Sequence, residues 1–271
     1  MNYTPKKIFP VLLNVVLLLI FTGLNAFTFP TDTGKTATFK FKTIVIDPGH
    51  GGKDPGAHGI TSSEKNVALS ISKKLRRALT DEMPNVNVVM TRSDDTFIEL
   101  NRRSEIATEH HGDLFISIHC NSSPEGTGAS HRGAELLISA LKRSKEQYEA
   151  IRENSSIYIE KDYKTKYASY DESNPANRII LNLFLQKHRK QSILFGELVN
   201  KEFKNTDNRS SVVKEQSLLV LAHSTMPAVL VETGYINNVN EERYLNSDAG
   251  QEEIVQSILQ AIKAYKKQVS F

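Results

Sequence analysis

Thr43-Ile44-Val45-Ile46-Asp47-Pro48-Gly49-His50-Gly51-Gly52 is the stretch whose reading decides the fold. Its first half is a short apolar, β-branched run suited to burial on both faces, as in the strands of a parallel sheet. Its second half opens a loop through Gly59 that carries five glycines and two prolines, a shaped loop rather than a helix. Beyond it, Lys65–Thr80 places Val67, Leu69, Ile71, Leu75 and Leu79 among basic residues, the pattern of an amphipathic helix. Val86–Thr91 reads as a second strand, Phe97–His110 as a helix, Asp113–His119 as a third strand and Gly133–Ala140 as a fourth. A helix resumes from Pro175-Ala176 through Phe203, and another from about Glu252 to Lys267 closes the chain. Strand–helix alternation of this kind predicts a single-domain, three-layer α/β/α fold with a largely parallel twisted sheet.

Polar residues at the ends of these apolar runs carry the chemistry. His50 follows the first strand, and His119 ends Leu114-Phe115-Ile116-Ser117-Ile118. Glu232 ends Ala228-Val229-Leu230-Val231, and Glu64 lies fourteen positions after His50. Open α/β sheets place ligands at the carboxyl ends of their strands. Two histidines and a carboxylate are a donor set for catalytic zinc, with a fourth position left for water and a further carboxylate as base. Each residue alone has a plainer reading. A histidine before Gly-Gly is often a turn residue, and Thr61-Ser62-Ser63-Glu64 fits a capping box that opens the following helix. Glu64 could cap with one oxygen and bind with the other.

The long ordered blocks around these positions resemble the zinc-dependent N-acetylmuramoyl-L-alanine amidases, which cut peptidoglycan. The blocks are Thr43 to Ala57 with Glu64-Lys65-Asn66, Met90-Thr91-Arg92-Ser93-Asp94-Asp95, Asn101-Arg102-Arg103, Ser117-Ile118-His119-Cys120-Asn121 and Met226 to Asn238. Together they span roughly residues 42–265. The resemblance implies one zinc ion per chain held by His50, Glu64 and His119, with Glu232 as catalytic acid/base. It also implies hydrolysis of the amide between N-acetylmuramic acid and L-alanine. Cys120 departs from the small residue, often alanine, expected after the histidine, and reads as a small buried hydrophobe. Asn66, Arg92 and Lys214 lie in or near the blocks as weaker candidates for supporting the site or lining the cleft, with Arg92 read as structural. Lys214-Glu215 could equally be a solvated entry to a strand over Ser217–Leu221. His58, His131 and His223 read as surface histidines, and His110-His111 as a helix end where cations are favoured.

The stretch from Leu141 to about Lys190 exceeds what an economical hydrolase needs, and about residues 142–175 of it read as an insertion. The first part is strongly charged, and five of the nine tyrosines fall between positions 148 and 170. Some amidases carry a comparable insertion, Glu-Asn followed by small residues, whose helix covers the zinc cleft until a partner moves it. Glu153-Asn154-Ser155-Ser156-Ile157 resembles that segment. A carboxylate of the insertion taking the open zinc position would be Glu149, Glu153 or Glu160, and a protein activator would then be a partner. The plainer alternative is a solvated excursion that shapes the substrate cleft.

At the N-terminus, Lys6-Lys7 precede the nearly continuous apolar run Ile8–Phe21, and small residues lead to a plausible cleavage after Ala26. This predicts a signal peptide over 1–26, a linker over 27–41 and a catalytic domain over 42–268. About fourteen apolar residues are short for a membrane span. Without the leader the charge balance is 32 basic against 31 acidic residues, which carries no nucleic-acid footprint. The single cysteine excludes an intrachain disulfide. An exported monomer, periplasmic rather than secreted, with no stable membrane anchor after leader removal, is the resulting expectation. Two other classes share these features: a zinc peptidase cutting within the stem peptide, and a non-catalytic peptidoglycan-binding regulator. The intact Glu232 counts against the second.

Overall fold

The computed structural model describes residues 39–124, 131–140, 148–171, 173–206 and 211–270. The expected signal peptide and most of the expected linker lie outside these residues.

Among the described residues, six strands form one sheet in the order β2-β1-β3-β6-β4-β5. They are β1 (Thr43–Pro48), β2 (Asn87–Met90), β3 (Leu114–Asn121), β4 (Ala134–Ser139), β5 (Ser211–Gln216) and β6 (Ala228–Tyr235). Pairings are parallel except between β4 and β6. The helices are α1 (Glu64–Glu82), α2 (Leu100–Glu109), α3 (Tyr148–Asn154), α4 (Tyr163–Lys166), α5 (Pro175–Asn205), α6 (Leu219–Ala222), α7 (Val239–Leu245) and α8 (Asp248–Val269). The architecture is the three-layer α/β fold expected, with the predicted elements present to within a few residues.

Strand pleat assigns the two faces of the sheet. Ile44, Ile46, Ile116, Ile118, Val229, Val231, Leu136 and Ile138 pack with α1, α5 and α8 in the larger core. In α1, Val67, Ala68, Ile71, Leu75 and Leu79 are buried at three- and four-residue spacing, while Lys73, Arg76 and Arg77 are exposed. Phe41, at the end of the expected linker, joins this core edge-on to Tyr265. The alternate residues Val45, Phe115, Leu230 and Leu137 meet α2, α6 and the insertion on the other face. Two or four residues closer to the same end of the sheet, that second face turns polar: Asp47, Ser117, His119, Glu232 and, on the antiparallel β4, Glu135.

Three local expectations change. Ser63 is the N-cap residue of α1 but its side chain makes no capping bond, so the capping-box reading fails; the Glu64 carboxylate accepts from the N–H groups of Ala57 and of Cys120 in β3 instead. Lys214 and Glu215 lie inside β5, and the apolar run after them forms the short helix α6 rather than a strand. β5 is an edge strand whose residues other than Val212 and Val213 are polar, so its apolar signal is weak. His223 is half-buried, stacked on Tyr170 with ring centroids 4.1 Å apart, because the insertion supplies an aromatic surface to cover it. His58 and His131 are exposed, as expected.

Candidate metal and catalytic centre

The carboxyl ends of β1 and β3 and the start of α1 bring His50, His119 and Glu64 together, all buried. A fourth residue, Glu153 of α3, completes the cluster; one ligand atom from each of the four lies within 4.8 Å of all the others. His50 Nε2 is 3.1 Å from Glu64 Oε1 and 3.4 Å from Glu153 Oε2. His119 Nδ1 is 3.0 Å from Glu64 Oε1 and 2.8 Å from Glu153 Oε2. Tetrahedral zinc with bonds of about 2.0–2.1 Å has ligand–ligand edges of about 3.3 Å, so the spacing fits that ion. His50 Nε2 and Glu153 Oε2 are buried and make no hydrogen bond among the described residues. Two orphaned donor atoms facing each other are what a metal site leaves when only protein is counted.

The surrounding bonds fix which ring nitrogens face the centre. His50 Nδ1 donates to Asp54 Oδ2 at 2.9 Å, leaving Nε2 with its lone pair inward. His119 has the opposite tautomer. Its Nε2 donates to Ser117 Oγ at 3.1 Å, and Ser117 donates onward to Asp47 Oδ2 at 2.7 Å. Glu64 is oriented by backbone: Oε1 accepts from the Cys120 N–H at 2.9 Å and Oε2 from the Ala57 N–H at 2.8 Å. Burial opposes charge on all these groups. Against it, the neighbouring carboxylates hold His50 well above the usual histidine range and His119 up at about 9. The facing histidines hold Glu64 below the usual carboxylate range. Protons therefore stand in for a cation here, and a bound metal would displace them.

The loop carrying His50 is held from beneath. His50 has φ 56°, in the left-handed region. A Cβ on Gly49 would come within 2.4 Å of the His119 ring, so only glycine lets the two histidines close. Arg103, 1 % exposed, donates to Asp47 Oδ1, the Pro48 carbonyl and the His50 carbonyl, each at 2.8 Å. Arg92 donates to the carbonyls of Pro48, Gly49, Asp94 and Lys65, so the structural reading of this residue fits its contacts. Asn66 is exposed on the first turn of α1, away from the cluster, because Glu64 rather than the next helical face points to it.

Glu232 lies opposite His119 in the β3–β6 register and is fully buried. Burial pushes its carboxyl up to about 8, against the pull of Arg152. Arg152 Nη2 donates to Glu232 Oε1 at 2.7 Å and to Glu153 Oε1 at 2.5 Å. Glu232 Oε2 has no hydrogen-bond partner among the described residues. Of the three insertion carboxylates expected to contend for the centre, Glu153 alone reaches it. Glu149 lies one helical turn back, on Lys214 and Gln216. Glu160 faces α2 and accepts from the Leu100 N–H and the Tyr167 hydroxyl. Asp54, Ser117, Arg103 and Arg152 had no role assigned from sequence. Asp54 four positions after His50, and Arg152 beside Glu153, were the available signals. Cys120 is buried, its thiol pushed up by burial, as the hydrophobic reading expected.

A family model described as N-acetylmuramoyl-L-alanine amidase matches residues 44–264. The chain is 35 % identical over 233 residues to the amidase AmiA of Escherichia coli strain K12, covering 83 % of this chain and 76 % of that protein. It is 34 % identical over 246 residues to the probable amidase AmiB of Haemophilus influenzae, covering 84 % of this chain and 54 % of the relative, about half its length. The catalytic domain of CwlV, an amidase from Bacillus (Paenibacillus) polymyxa var. colistinus, superposes with a TM-score of 0.60 at 29 % identity, covering 84 % of this chain and 99 % of that one. The AmiC2 amidase of Nostoc punctiforme gives 0.61 at 27 %, covering 83 % and 97 %. With this match over most of its length, the chain belongs to the N-acetylmuramoyl-L-alanine amidase family.

Proposed function

We propose that this protein is a zinc-dependent amidase that cleaves the bond between N-acetylmuramic acid and L-alanine, exported to the periplasm and held off by its own insertion. The observation that carries the reading is the buried His50–Glu64–His119 cluster beside the unpaired oxygen of Glu232. His50, Glu64 and His119 would hold the ion, which when bound supplies Lewis acidity toward the attacking water and the amide carbonyl. Glu232 accepts the proton from the water through Oε2 and returns it to the departing alanine nitrogen, which needs a carboxyl near neutrality. Asp54 and Ser117 keep the two imidazoles in the tautomers the centre requires.

The same arrangement supports restraint. Glu153 occupies the position a catalytic site leaves open, and Arg152 ties up the base through Glu232 Oε1. A protein activator that draws α3 away would free both. Incubation of the leaderless protein with purified peptidoglycan tests the activity. Zinc-dependent release of stem peptides starting at L-alanine is expected. Stems shortened but still attached to sugar would make it a peptidase, and no product from the wild type and from Glu153→Ala alike would leave a binding protein.

A further inference from the structure

The helix that covers the centre also covers a second polar cluster. Lys214 Nζ lies 2.8 Å from Glu135 Oε1 and 3.3 Å from Glu149 Oε1. Gln216, buried, donates its side-chain amide to Glu149 Oε2 and accepts from the Ala150 N–H at 2.8 Å. Tyr235 donates to Glu135 Oε1 at 2.9 Å. Glu135 is buried, and its Oε2 makes no hydrogen bond among the described residues. Glu135 also stands opposite Glu232 in the β4–β6 register, so this cluster adjoins the base on the same face of the sheet.

Fixed scaffold and removable helix divide this cluster cleanly. Lys214, Gln216, Glu135 and Tyr235 sit on β5, β4 and β6; Glu149 sits on α3. When α3 leaves, Lys214 keeps one carboxylate and loses the other, and the Gln216 amide loses both partners. A cation and an amide donor are then left facing the cleft, with an acceptor oxygen of Glu135 beside them. Glu149 and Glu153 are four residues apart, about 6 Å along a helix. In a muramoyl peptide the γ-linked glutamate is the second residue of the stem. Its free α-carboxylate lies about 7 Å, two extended residues, from the scissile carbonyl.

We propose that Lys214 and Gln216 form a carboxylate subsite for the second residue of the stem peptide, which Glu149 fills while the insertion is in place. Glu135 and Tyr235 are positioning residues that hold the Lys214 ammonium. The insertion thus copies the substrate at two points one helical turn apart. This rests on the reading that α3 is displaced before catalysis.

Two muropeptide fragments identical except for a free α-carboxylate or an α-carboxamide on the second stem residue test it. They are given to the zinc-loaded full chain and to Glu153→Ala, each with and without Lys214→Met. With Lys214 intact, kcat/KM for the carboxylate fragment is expected to exceed that for the amide about tenfold, mainly through KM, as a charge-assisted contact predicts. Lys214→Met should equalise the two fragments, and Lys214→Arg should restore part of the preference. Equal cleavage with Lys214 intact, or an undiminished preference in Lys214→Met, overturns the subsite. The first of these reads the native residue and so stays decisive if Lys214→Met fails to fold. Because the preference is a ratio within one protein, it is independent of how often α3 opens. Glu153→Ala no faster than wild type would overturn the plug alone, and no cleavage of either fragment by either protein overturns the amidase reading and the subsite with it.

Discussion

The strand-end scaffold and the insertion meet at one centre, yet they are held in opposite ways. His50, Glu64 and His119 stand on a buried network: Asp47 takes Thr91, Arg103 and Ser117, and Arg103 and Arg92 clamp the carbonyls of the His50 loop. The insertion rests chiefly on polar contacts from α3 and the turn that follows it, namely Arg152 to Glu232, Glu149 to Lys214 and Gln216, Asn154 to the backbone of Ser217 and Leu219, and Ser156 to Asp54. Ala150 and Tyr167 are its few deeply buried apolar side chains, while Ile151 and Tyr158 are 72 % and 68 % exposed. The scaffold network stands on strands and helices fixed by the apolar core, whereas the insertion adds little apolar burial of its own and its charge pairs can be exchanged for equivalent pairs with a ligand or partner. The contrast teaches that the molecule separates a centre built on its packed core from a segment held over it mainly by polar contacts.

Breaking the scaffold should have the largest effect. Arg103→Met leaves Asp47 buried and unpaired, and such a loss costs about 3–5 kcal/mol. Thermal unfolding should fall accordingly, and zinc retention measured by elemental analysis should fall with it. A small change in both would mean that the Asp47–Arg103 pair is dispensable and the comparison false. Breaking the insertion should act on activity instead. Glu153→Ala removes a carboxylate that His119 and Arg152 hold well below its ordinary range against burial, so some fold stability should be lost even as activity is gained. Hydrolysis of peptidoglycan should rise about a hundredfold, equal to about 2.7 kcal/mol of released restraint. A rate unchanged from wild type would show that α3 does not restrain the enzyme. Glu232→Gln in either background should keep zinc while losing at least about a hundredfold in rate, the ordinary contribution of a general base.

The scaffold was largely legible in the sequence because buried parallel strands write themselves as apolar runs, and the polar residue that ends each run marks the mouth of the sheet. The strand-end residues His50, His119 and Glu232 were visible on that ground, and Glu64, at the start of α1, by the block it belongs to. Their support was not. Arg103 sits on a helix with no apolar signal for what it touches, and its reach to Asp47 spans 56 positions. The insertion was legible as an excess of charge and tyrosine, but the choice of Glu153 over Glu149 and Glu160 depends on where one short helix lands. β5 went unread for a related reason: apart from Val212 and Val213 its residues are polar, so it lacks the apolar run that identifies a buried strand.

The smallest effect separates two ways of holding the loop that leads into Glu64. Glu242 of α7 accepts from the backbone N–H groups of Ile60, Thr61 and Ser62 at 2.8–2.9 Å and from the hydroxyls of Thr61 and Ser62. Burial works against its charge, but these donors hold the carboxyl down at about 2. A carboxyl lowered on folding stabilises the fold fully above its unfolded value near 4.5, and that stabilisation is lost as pH falls toward 2. Glu242→Gln should therefore cost about 1.5 kcal/mol near neutral pH, a drop of about 3–6 °C in a domain of this size. The gap between variant and wild type should narrow steadily below pH 4.5. A gap that is constant with pH would mean that the glutamate acts by shape rather than charge. The loop before Glu64 would then belong with the packed scaffold instead of with the charge-held insertion.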